Sequence, residues 1–278
     1  MAAMKAAGLG YGHGIPTSMA AGDGRNTTMQ NVHFDQDGPV ATITLDRPPV
    51  NALDETMMRG LIAAIRRLET SPDLRVAVLT GAGRCFSAGV DLKAQVAALD
   101  GGRSGPMDFG VELYDKLLNG SKPLIAAING HALGAGLGIA ASCNILMAAE
   151  GAEFGLPEID VGALGGARHA MRLLGHSTVN RMLLTGHRLG AEELARRGAI
   201  EACLPADRLL ADARGIAREI ASKDPTAIAL ARKCLSSVET MSVLDGYAFE
   251  ARLGAELGAT PAAQASMRAF LERRRSRD

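Results

Sequence analysis

One stretch of sequence indicates both fold and chemistry: Asn129-Gly130-His131-Ala132-Leu133-Gly134-Ala135-Gly136-Leu137-Gly138. An apolar run, Leu124 to Ile128, precedes it, and small residues from Ile139 to Ser142 follow it. This order predicts a strand, a glycine turn and the start of a helix. The first N–H groups of a helix have no partner inside the helix. Such a turn can therefore hold negative charge, on a bound anion or on an oxyanion that forms in a transition state.

A second glycine turn lies upstream, also after an apolar run. It reads Phe86-Ser87-Ala88-Gly89-Val90-Asp91-Leu92-Lys93 and follows Val76 to Leu79. Glycine has no Cβ, so in both turns the backbone can approach a ligand atom closely. We expect each turn to offer one N–H group to the same oxygen.

Composition narrows the class of protein. The chain has 278 residues, 47% of them hydrophobic, so it can bury a core without disulfides or metals. The formal net charge is +0, and aromatic residues make up 3% with no tryptophan, which argues against nucleic-acid binding. The four widely spaced cysteines favour reduced thiols in a cytoplasmic protein. No apolar run reaches transmembrane length, so we expect no membrane partner.

The chain divides into three predicted parts. Residues 1–28 are rich in Gly and Ala and lack periodicity, so we interpret them as a disordered tail rather than a targeting peptide. Residues 29–200 repeat a strand, a turn and a helix, which favours an α/β fold built as a spiral of ββα units. Residues 201–278 are mostly amphipathic helices, interpreted as a C-terminal helical region for trimerisation.

Periodicity also predicts the individual elements. Strands are expected at Val32–Phe34, Val40–Leu45, Val76–Leu79, Leu124–Ile128 and Asn144–Ala148. Helices are expected after an Asp54 cap, at Phe109–Leu118, and at Asp207–Ala221, Pro225–Val238, Val243–Leu257 and Pro261–Arg274.

Several short motifs occur in a specific order. They are Leu45-Asp46-Arg47-Pro48 with Asn51-Ala52-Leu53, Leu79-Thr80-Gly81, the two glycine turns, Phe154-Gly155-Leu156-Pro157-Glu158, Leu184-Thr185-Gly186 and Ala191-Glu192-Glu193-Leu194. Each motif alone is weak, but the set is specific. From about Val32 to Arg274 the chain resembles the crotonase superfamily, the enoyl-CoA hydratase/isomerase family.

The resemblance implies a crotonase-like ββα spiral core, a homotrimer or dimer of trimers, and acyl-CoA thioester substrates. It places an oxyanion hole at the N–H groups of Val90 and Ala135, where an enolate formed at a thioester carbonyl would need fixed donors. It implies no metal and no cofactor beyond the coenzyme A of the substrate. The implied CoA- and substrate-binding residues are Ser87, Ala88, Gly89, Asp91, Leu92, Lys93 and Gly134. Asp91 is also predicted to cap a helix, and Lys93 fits a solvated lysine equally well.

The carboxylates distinguish the possible reactions. Hydratases of this family use two glutamates around one water, one after the second glycine turn and one in the Pro-Glu motif. Here the Pro-Glu position is Glu158, whereas the other position is Gly138. A single carboxylate can take a proton from one carbon and return it to another, as the family's isomerases do. We therefore predict that Glu158 is the catalytic acid/base and that the reaction is double-bond isomerisation of an enoyl-CoA.

Two further residues are candidates near Glu158. Asp160 would share its face if the segment were extended, and could then replace the missing acid, although a cap or turn before Gly162 is the simpler interpretation. His169 follows a glycine loop that is about three residues shorter than the family pattern. His169 or Arg168 could meet a polar acyl group there, and a surface helix is the alternative.

Other functions stay open from the sequence. A divergent hydratase or dehydratase could use Glu158 alone or with Asp160. The same oxyanion hole could serve decarboxylation or thioester hydrolysis. A protein that binds acyl-CoA without catalysis is a further class, in which Gly138 marks lost chemistry.

Overall fold

Eleven strands and eleven α-helices make up residues 26–275, the part of the chain that this computed structural model describes. The strands are β1 (Asn26–Met29), β2 (Val32–Asp37), β3 (Val40–Leu45), β4 (Val76–Gly81), β5 (Cys85–Ser87), β6 (Leu124–Ile128), β7 (His131–Leu133), β8 (Ile145–Ala149), β9 (Glu153–Gly155), β10 (Arg188–Gly190) and β11 (Ala202–Leu204). The helices are α1 (Glu55–Thr70), α2 (Leu92–Asp100), α3 (Gly110–Asn119), α4 (Ala135–Ala141), α5 (Ala167–Ala170), α6 (His176–Thr185), α7 (Ala191–Arg196), α8 (Ala206–Ala221), α9 (Pro225–Val238), α10 (Val243–Gly258) and α11 (Pro261–Arg275). Two 3-10 helices lie at Gly105–Phe109 and Pro157–Val161.

The larger sheet has seven strands in the order β1-β2-β3-β4-β6-β8-β11. From β3 to β11 all neighbours are parallel, and the residues of β4 and β6 are buried on both faces. Parallel strands covered on both sides read as continuous apolar runs, which is why these strands were predicted. One face packs on α8, with Val78 and Ile125 in that cluster, and the other face packs on α1.

The smaller sheet has four strands in the order β10-β9-β7-β5, each three residues long. Strands β5, β7 and β9 are parallel neighbours, and β10 pairs antiparallel with β9. Sequence analysis missed all four strands. Each of β5 and β7 follows a strand of the large sheet after a short connection, so the chain passes repeatedly from one sheet to the other.

Two predicted boundaries need correction. Residues 1–25 of the predicted tail lie outside the described residues, but Asn26–Thr28 pair antiparallel with β2 in strand β1. The region from residue 201 was predicted to be a helical appendage. Instead β11 adds to the large sheet beside β8, and Leu209, Ala213 and Ala217 of α8 are buried against that sheet. Residues 202–221 therefore belong to the core.

Helix α3 lies beside the glycine turns and is anchored at its end. Leu113 and Leu117 are buried in the main core. The Arg232 guanidinium, itself buried on α9, donates to the carbonyl of Leu117 at 2.6 Å and also to that of Gly120. These bonds satisfy carbonyls that the helix end leaves without partners, and they hold α3 in place. No helix within residues 26–275 is both long and apolar enough to span a bilayer.

Candidate active site

The first glycine turn is built around Ser87, which ends β5 and is fully buried. Its hydroxyl donates to the Asn51 carbonyl at 2.8 Å and accepts from the Gly89 N–H at 3.2 Å. Gly89 has φ +91°, and a Cβ on it would lie 2.8 Å from the Leu133 carbonyl oxygen and 3.3 Å from the Ala135 nitrogen. Only glycine fits here, because a side chain would push the two turns apart.

Val90 is held as an isolated parallel bridge partner of Leu53. The Leu53 N–H donates to the Gly89 carbonyl at 2.8 Å, and the Asp91 N–H donates to the Leu53 carbonyl at 3.0 Å. These bonds use the residues on either side of Val90. In an extended segment the Val90 N–H then points away from Leu53.

The second turn ends β7 and starts α4. The Gly134 N–H donates to the Gly155 carbonyl at 2.9 Å, and the next residue, Ala135, is the first of the helix. Its N–H is one of those that a helix leaves without an internal partner. Among the residues that the structure describes, the N–H groups of Val90 and Ala135 have no hydrogen-bond acceptor. The structure therefore brings two open N–H groups onto adjacent turns, where an oxyanion hole was predicted.

Glu158 lies in the 3-10 helix that follows β9, and its side chain reaches the second turn. A Cβ on Gly134 would collide with its Oε1. Its Oε2 is buried and has no hydrogen-bond partner within residues 26–275. Burial raises the pKa of Glu158 above its ordinary value of 4.5, although a local backbone hydrogen bond opposes the shift. A carboxylate with one buried oxygen that has no partner, beside open N–H groups, suits proton transfer to or from a ligand.

Tyr114 of α3 lies beside Gly138 and close to Glu158, and it was not predicted from the sequence. A Cβ on Gly138 would lie 2.5 Å from the Tyr114 hydroxyl oxygen and 3.2 Å from Cζ. The hydroxyl donates a long hydrogen bond, 3.4 Å, to the Ala135 carbonyl. Burial, and then the charge of Glu158, raise the pKa of Tyr114 to about 12. The sequence did contain a signal for Tyr114. It is an aromatic residue with a hydroxyl group, and it lies between Leu113 and Leu117 on the apolar side of a predicted helix.

His169 packs against this tyrosine. The ring centroids of Tyr114 and His169 are 4.1 Å apart, with 34° between the ring planes. Burial lowers the pKa of His169; Arg172 and Arg168 act in the same direction and Glu239 opposes them, so the neutral ring is favoured. The Arg168 guanidinium instead pairs with Glu239 at 3.2 Å on the surface.

Asp160 does not share the face of Glu158. The segment is not extended but forms a 3-10 helix, in which side chains two positions apart point in different directions. Asp160 is exposed, and a Cβ on Gly186 would lie 2.7 Å from its Oδ2. Asp160 therefore lies in the turn before Gly162, which was the simpler of the two interpretations of the sequence.

The start of α2 carries the remaining predicted ligand-binding residues. Asp91 caps this helix by accepting from the N–H groups of Lys93 at 2.9 Å and Ala94 at 3.1 Å, and it pairs with Arg47 at 2.6 Å. Burial opposes the charge on Asp91, but these bonds outweigh it and lower its pKa. Leu92 and Lys93 are exposed, and Ala88 is half-buried with its N–H bonded to the Val50 carbonyl. Within residues 26–275 no three His, Cys, Asp or Glu side chains are grouped to hold a metal ion.

Comparison with known proteins identifies the family of this chain. The model of the enoyl-CoA hydratase/isomerase family matches residues 35–277. The carnitinyl-CoA dehydratases of Salmonella typhimurium and Salmonella heidelberg are each 35% identical over 231 residues, covering 79% of this chain and 85% of theirs. The chain belongs to the enoyl-CoA hydratase/isomerase family, within the crotonase superfamily, and is an acyl-CoA enzyme.

Solved structures confirm the predicted crotonase-like fold. An enoyl-CoA hydratase from Bacillus anthracis has a TM-score of 0.81 at 28% identity, covering 88% of this chain and 97% of that one. An enoyl-CoA hydratase/isomerase from Mycobacterium paratuberculosis has a TM-score of 0.78 at 28% identity, with coverage of 88% and 97%.

Proposed function

We propose that this protein isomerises enoyl-CoA thioesters, with Glu158 as both the acid and the base. The observation that carries the proposal is that Glu158 reaches the second turn with its buried Oε2 lacking a hydrogen-bond partner, while the second carboxylate position is Gly138. Adding water requires a group that deprotonates the water as well as one that protonates carbon. Moving a double bond requires only that one proton be taken and returned.

The reaction uses the two turns as follows. In the direction from a 3-enoyl to a 2-enoyl thioester, Glu158 removes a proton from C2. The negative charge moves to the thioester oxygen, which accepts hydrogen bonds from Val90 and Ala135. Glu158 then returns the proton to C4, so the mass does not change. The reverse direction takes the proton from C4 and returns it to C2. A base with a pKa raised toward neutrality suits both steps.

The coenzyme A portion binds along the first turn and the start of α2. Gly89 and Gly134 keep the backbone open toward the thioester, and Ser87 and Asp91 hold the turn in shape through the bonds described above. Lys93 is exposed at the start of α2, and its amine is the proposed contact to a phosphate of coenzyme A. No further cofactor is needed, because Glu158 and two N–H groups supply every proton transfer and all of the charge stabilisation.

Dehydration of a 3-hydroxyacyl-CoA is the second candidate. Two observations favour it: the relatives are named carnitinyl-CoA dehydratase, and a phenol stands where the second carboxylate is missing. In this reaction Glu158 removes the C2 proton and the neutral Tyr114 hydroxyl donates a proton to the leaving hydroxyl at C3. Tyr114 is then a catalytic acid, whereas isomerisation does not use its hydroxyl.

Turnover of two matched substrates tests the proposal. A 3-enoyl-CoA and a 2-enoyl-CoA of the same chain length are followed by absorbance of the conjugated product and by mass. We expect the 3-enoyl-CoA to become conjugated with unchanged mass, and we expect Glu158→Gln to abolish this while CoA binding survives. Asp160→Asn is the matched control, because it alters an exposed carboxylate two residues away.

A gain of one water on the 2-enoyl-CoA, without isomerisation, would refute the proposal. Full activity of Glu158→Gln would exclude Glu158 as the acid/base.

Assembly as a trimer or a dimer of trimers is part of the proposal. Helices α10 and α11 carry large apolar side chains that are exposed on the single chain: Val243, Leu244, Tyr247, Met267, Phe270 and Leu271. Apolar patches of this kind mark contact surfaces between proteins. Light scattering coupled to size-exclusion chromatography is expected to give three or six times the chain mass, and a monomer at micromolar concentration would contradict this.

A further inference from the structure

Tyr114 occupies the space into which any side chain at position 138 would point. The three atoms nearest to a Cβ on Gly138 all belong to this tyrosine: the hydroxyl oxygen at 2.5 Å, Cζ at 3.2 Å and Cε1 at 3.4 Å. Real Cβ contacts are not shorter than about 3.0 Å. A longer side chain at position 138 would have to enter the volume of the phenol.

The tyrosine is held in this position from several sides. Its ring packs on His169 with centroids 4.1 Å apart, and its hydroxyl bonds to the Ala135 carbonyl. The helix that carries it is fixed by buried Leu113 and Leu117 and by Arg232 at its C-terminal end. Moving the ring aside would break these contacts, so Tyr114 is a fixed wall of the site.

Tyr114 is also a poor substitute for the absent carboxylate as a base. With a pKa of about 12 the phenol is neutral near pH 7, and the nearby negative charge of Glu158 disfavours the phenolate. A water molecule beside it would find a hydrogen-bond donor and a weak acceptor. It would not find a base that can deprotonate it for attack on C3.

We propose that Gly138 and Tyr114 together determine the reaction specificity of this enzyme: the glycine supplies no second acid and the phenol fills the space that one would need, so that the proton taken by Glu158 returns to carbon. The inference rests on the isomerase activity proposed above and adds the reason why that activity is not accompanied by water addition. Tyr114 acts here through its volume, and its hydroxyl takes no part in the chemistry.

The test restores the second carboxylate with and without the tyrosine. Gly138→Glu alone, Tyr114→Ala alone and the double variant are each given a 2-enoyl-CoA. We expect the double variant alone to hydrate it, at least about 10²-fold faster than the wild type, since acid–base groups contribute on that scale. The oxygen of water then bonds to C3, its proton goes to the introduced carboxylate, and Glu158 protonates C2.

Two outcomes would overturn the inference. One is a Gly138→Glu single variant that hydrates as fast as the double variant, because the phenol would then not exclude the carboxylate. The other is a folded double variant that still isomerises but does not hydrate. Tyr114→Phe keeps the ring and removes the hydroxyl, so it should retain isomerisation and stay unable to hydrate. A loss above about 10²-fold in Tyr114→Phe would instead assign the hydroxyl to catalysis.

A stability measurement keeps the inference testable if the glutamate variants do not fold. Gly138→Ala should lower Tm in the presence of Tyr114 and should not lower it in a Tyr114→Ala background, since neighbouring residues give non-additive effects. Additive Tm shifts would show that the two positions do not share a volume. Turnover of the wild type is a separate test: if it does not isomerise a 3-enoyl-CoA, the proposed function is refuted. The Tm comparison of the four proteins and the hydration activity of the double variant test only the role of Tyr114.

Discussion

The two sheets of this protein differ in how they relate to its chemistry. The seven-stranded sheet has long central strands that are buried on both faces, and it forms the scaffold. The four-stranded sheet has strands of three residues, yet strands β5, β7 and β9 lead directly to the first turn, the second turn and Glu158. We therefore expect stability to depend mainly on the large sheet and catalysis on the small one. Mutations in the two layers should separate them.

The largest expected effect is on the small-sheet side, at Glu158. Glu158→Gln should reduce isomerisation by about 10⁴-fold, the upper end for general acid–base groups, because this carboxylate is proposed to perform both proton transfers. It should not reduce Tm, since it replaces a buried carboxylate whose Oε2 has no partner. Single-turnover kinetics and calorimetry measure the two quantities. A matching loss of Tm would show that Glu158 also stabilises the fold.

Gly89→Ala comes next, because it separates the two turns. A Cβ there would meet the Leu133 carbonyl at 2.8 Å, and φ +91° disfavours alanine. Displacing one donor of the oxyanion hole should cost about 10²-fold in kcat. Gly102→Ala is the control, because φ is also positive there, +69°, but a Cβ would meet no atom within 4 Å. Wild-type kcat in a correctly folded Gly89→Ala would argue against an oxyanion hole at these turns.

A mutation in the large sheet should lower stability and leave turnover unchanged, which is the reverse of the effect expected for Glu158→Gln. Ile125 is fully buried in β6 on the face covered by α8, in a different apolar cluster from β7 and β9. Ile125→Ala should lower the free energy of unfolding by about 2–5 kcal/mol. Turnover per folded molecule should not change. Urea unfolding monitored beside activity checks this, and a parallel fall in kcat would mean that the layers are coupled.

The smallest expected effect is the change in activity and stability with pH that the ionisation of Glu158 causes. Its pKa is raised in the folded protein, so activity should fall as pH drops through a midpoint above 4.5, where the base becomes protonated. The protonated form is favoured by folding. This contribution to stability is present below the unfolded pKa and is lost as pH rises through the folded pKa. Glu158→Gln should remove this loss of stability at higher pH. Unfolding curves of the wild type and the variant, measured at a series of pH values, check this. Identical curves would contradict the raised pKa.

Part of this architecture was predictable because local sequence carries it. Strands β3, β4 and β6 and helices α8 to α11 were predicted within a few residues of their observed bounds. Their apolar runs or helical periodicity come from burial along a whole element. The three-residue strands were missed because so short a segment has no measurable period and pairs only when distant segments meet. Two interpretations of Asp160 stayed open for a related reason, because composition does not distinguish one 3-10 turn from an extended segment.

The sequence by itself determined the family, the two glycine turns, and the presence of Glu158 opposite a missing carboxylate at Gly138. These features are determined by residue type and order, because glycine, proline and carboxylate at set spacings already restrict the backbone and the chemistry. Only the tertiary structure showed that Tyr114, 24 positions before Gly138 in the chain, fills the space left by that glycine. The two residues lie on different helices and come into contact only after folding. A local sequence pattern therefore cannot predict which side chain fills the space beside the glycine.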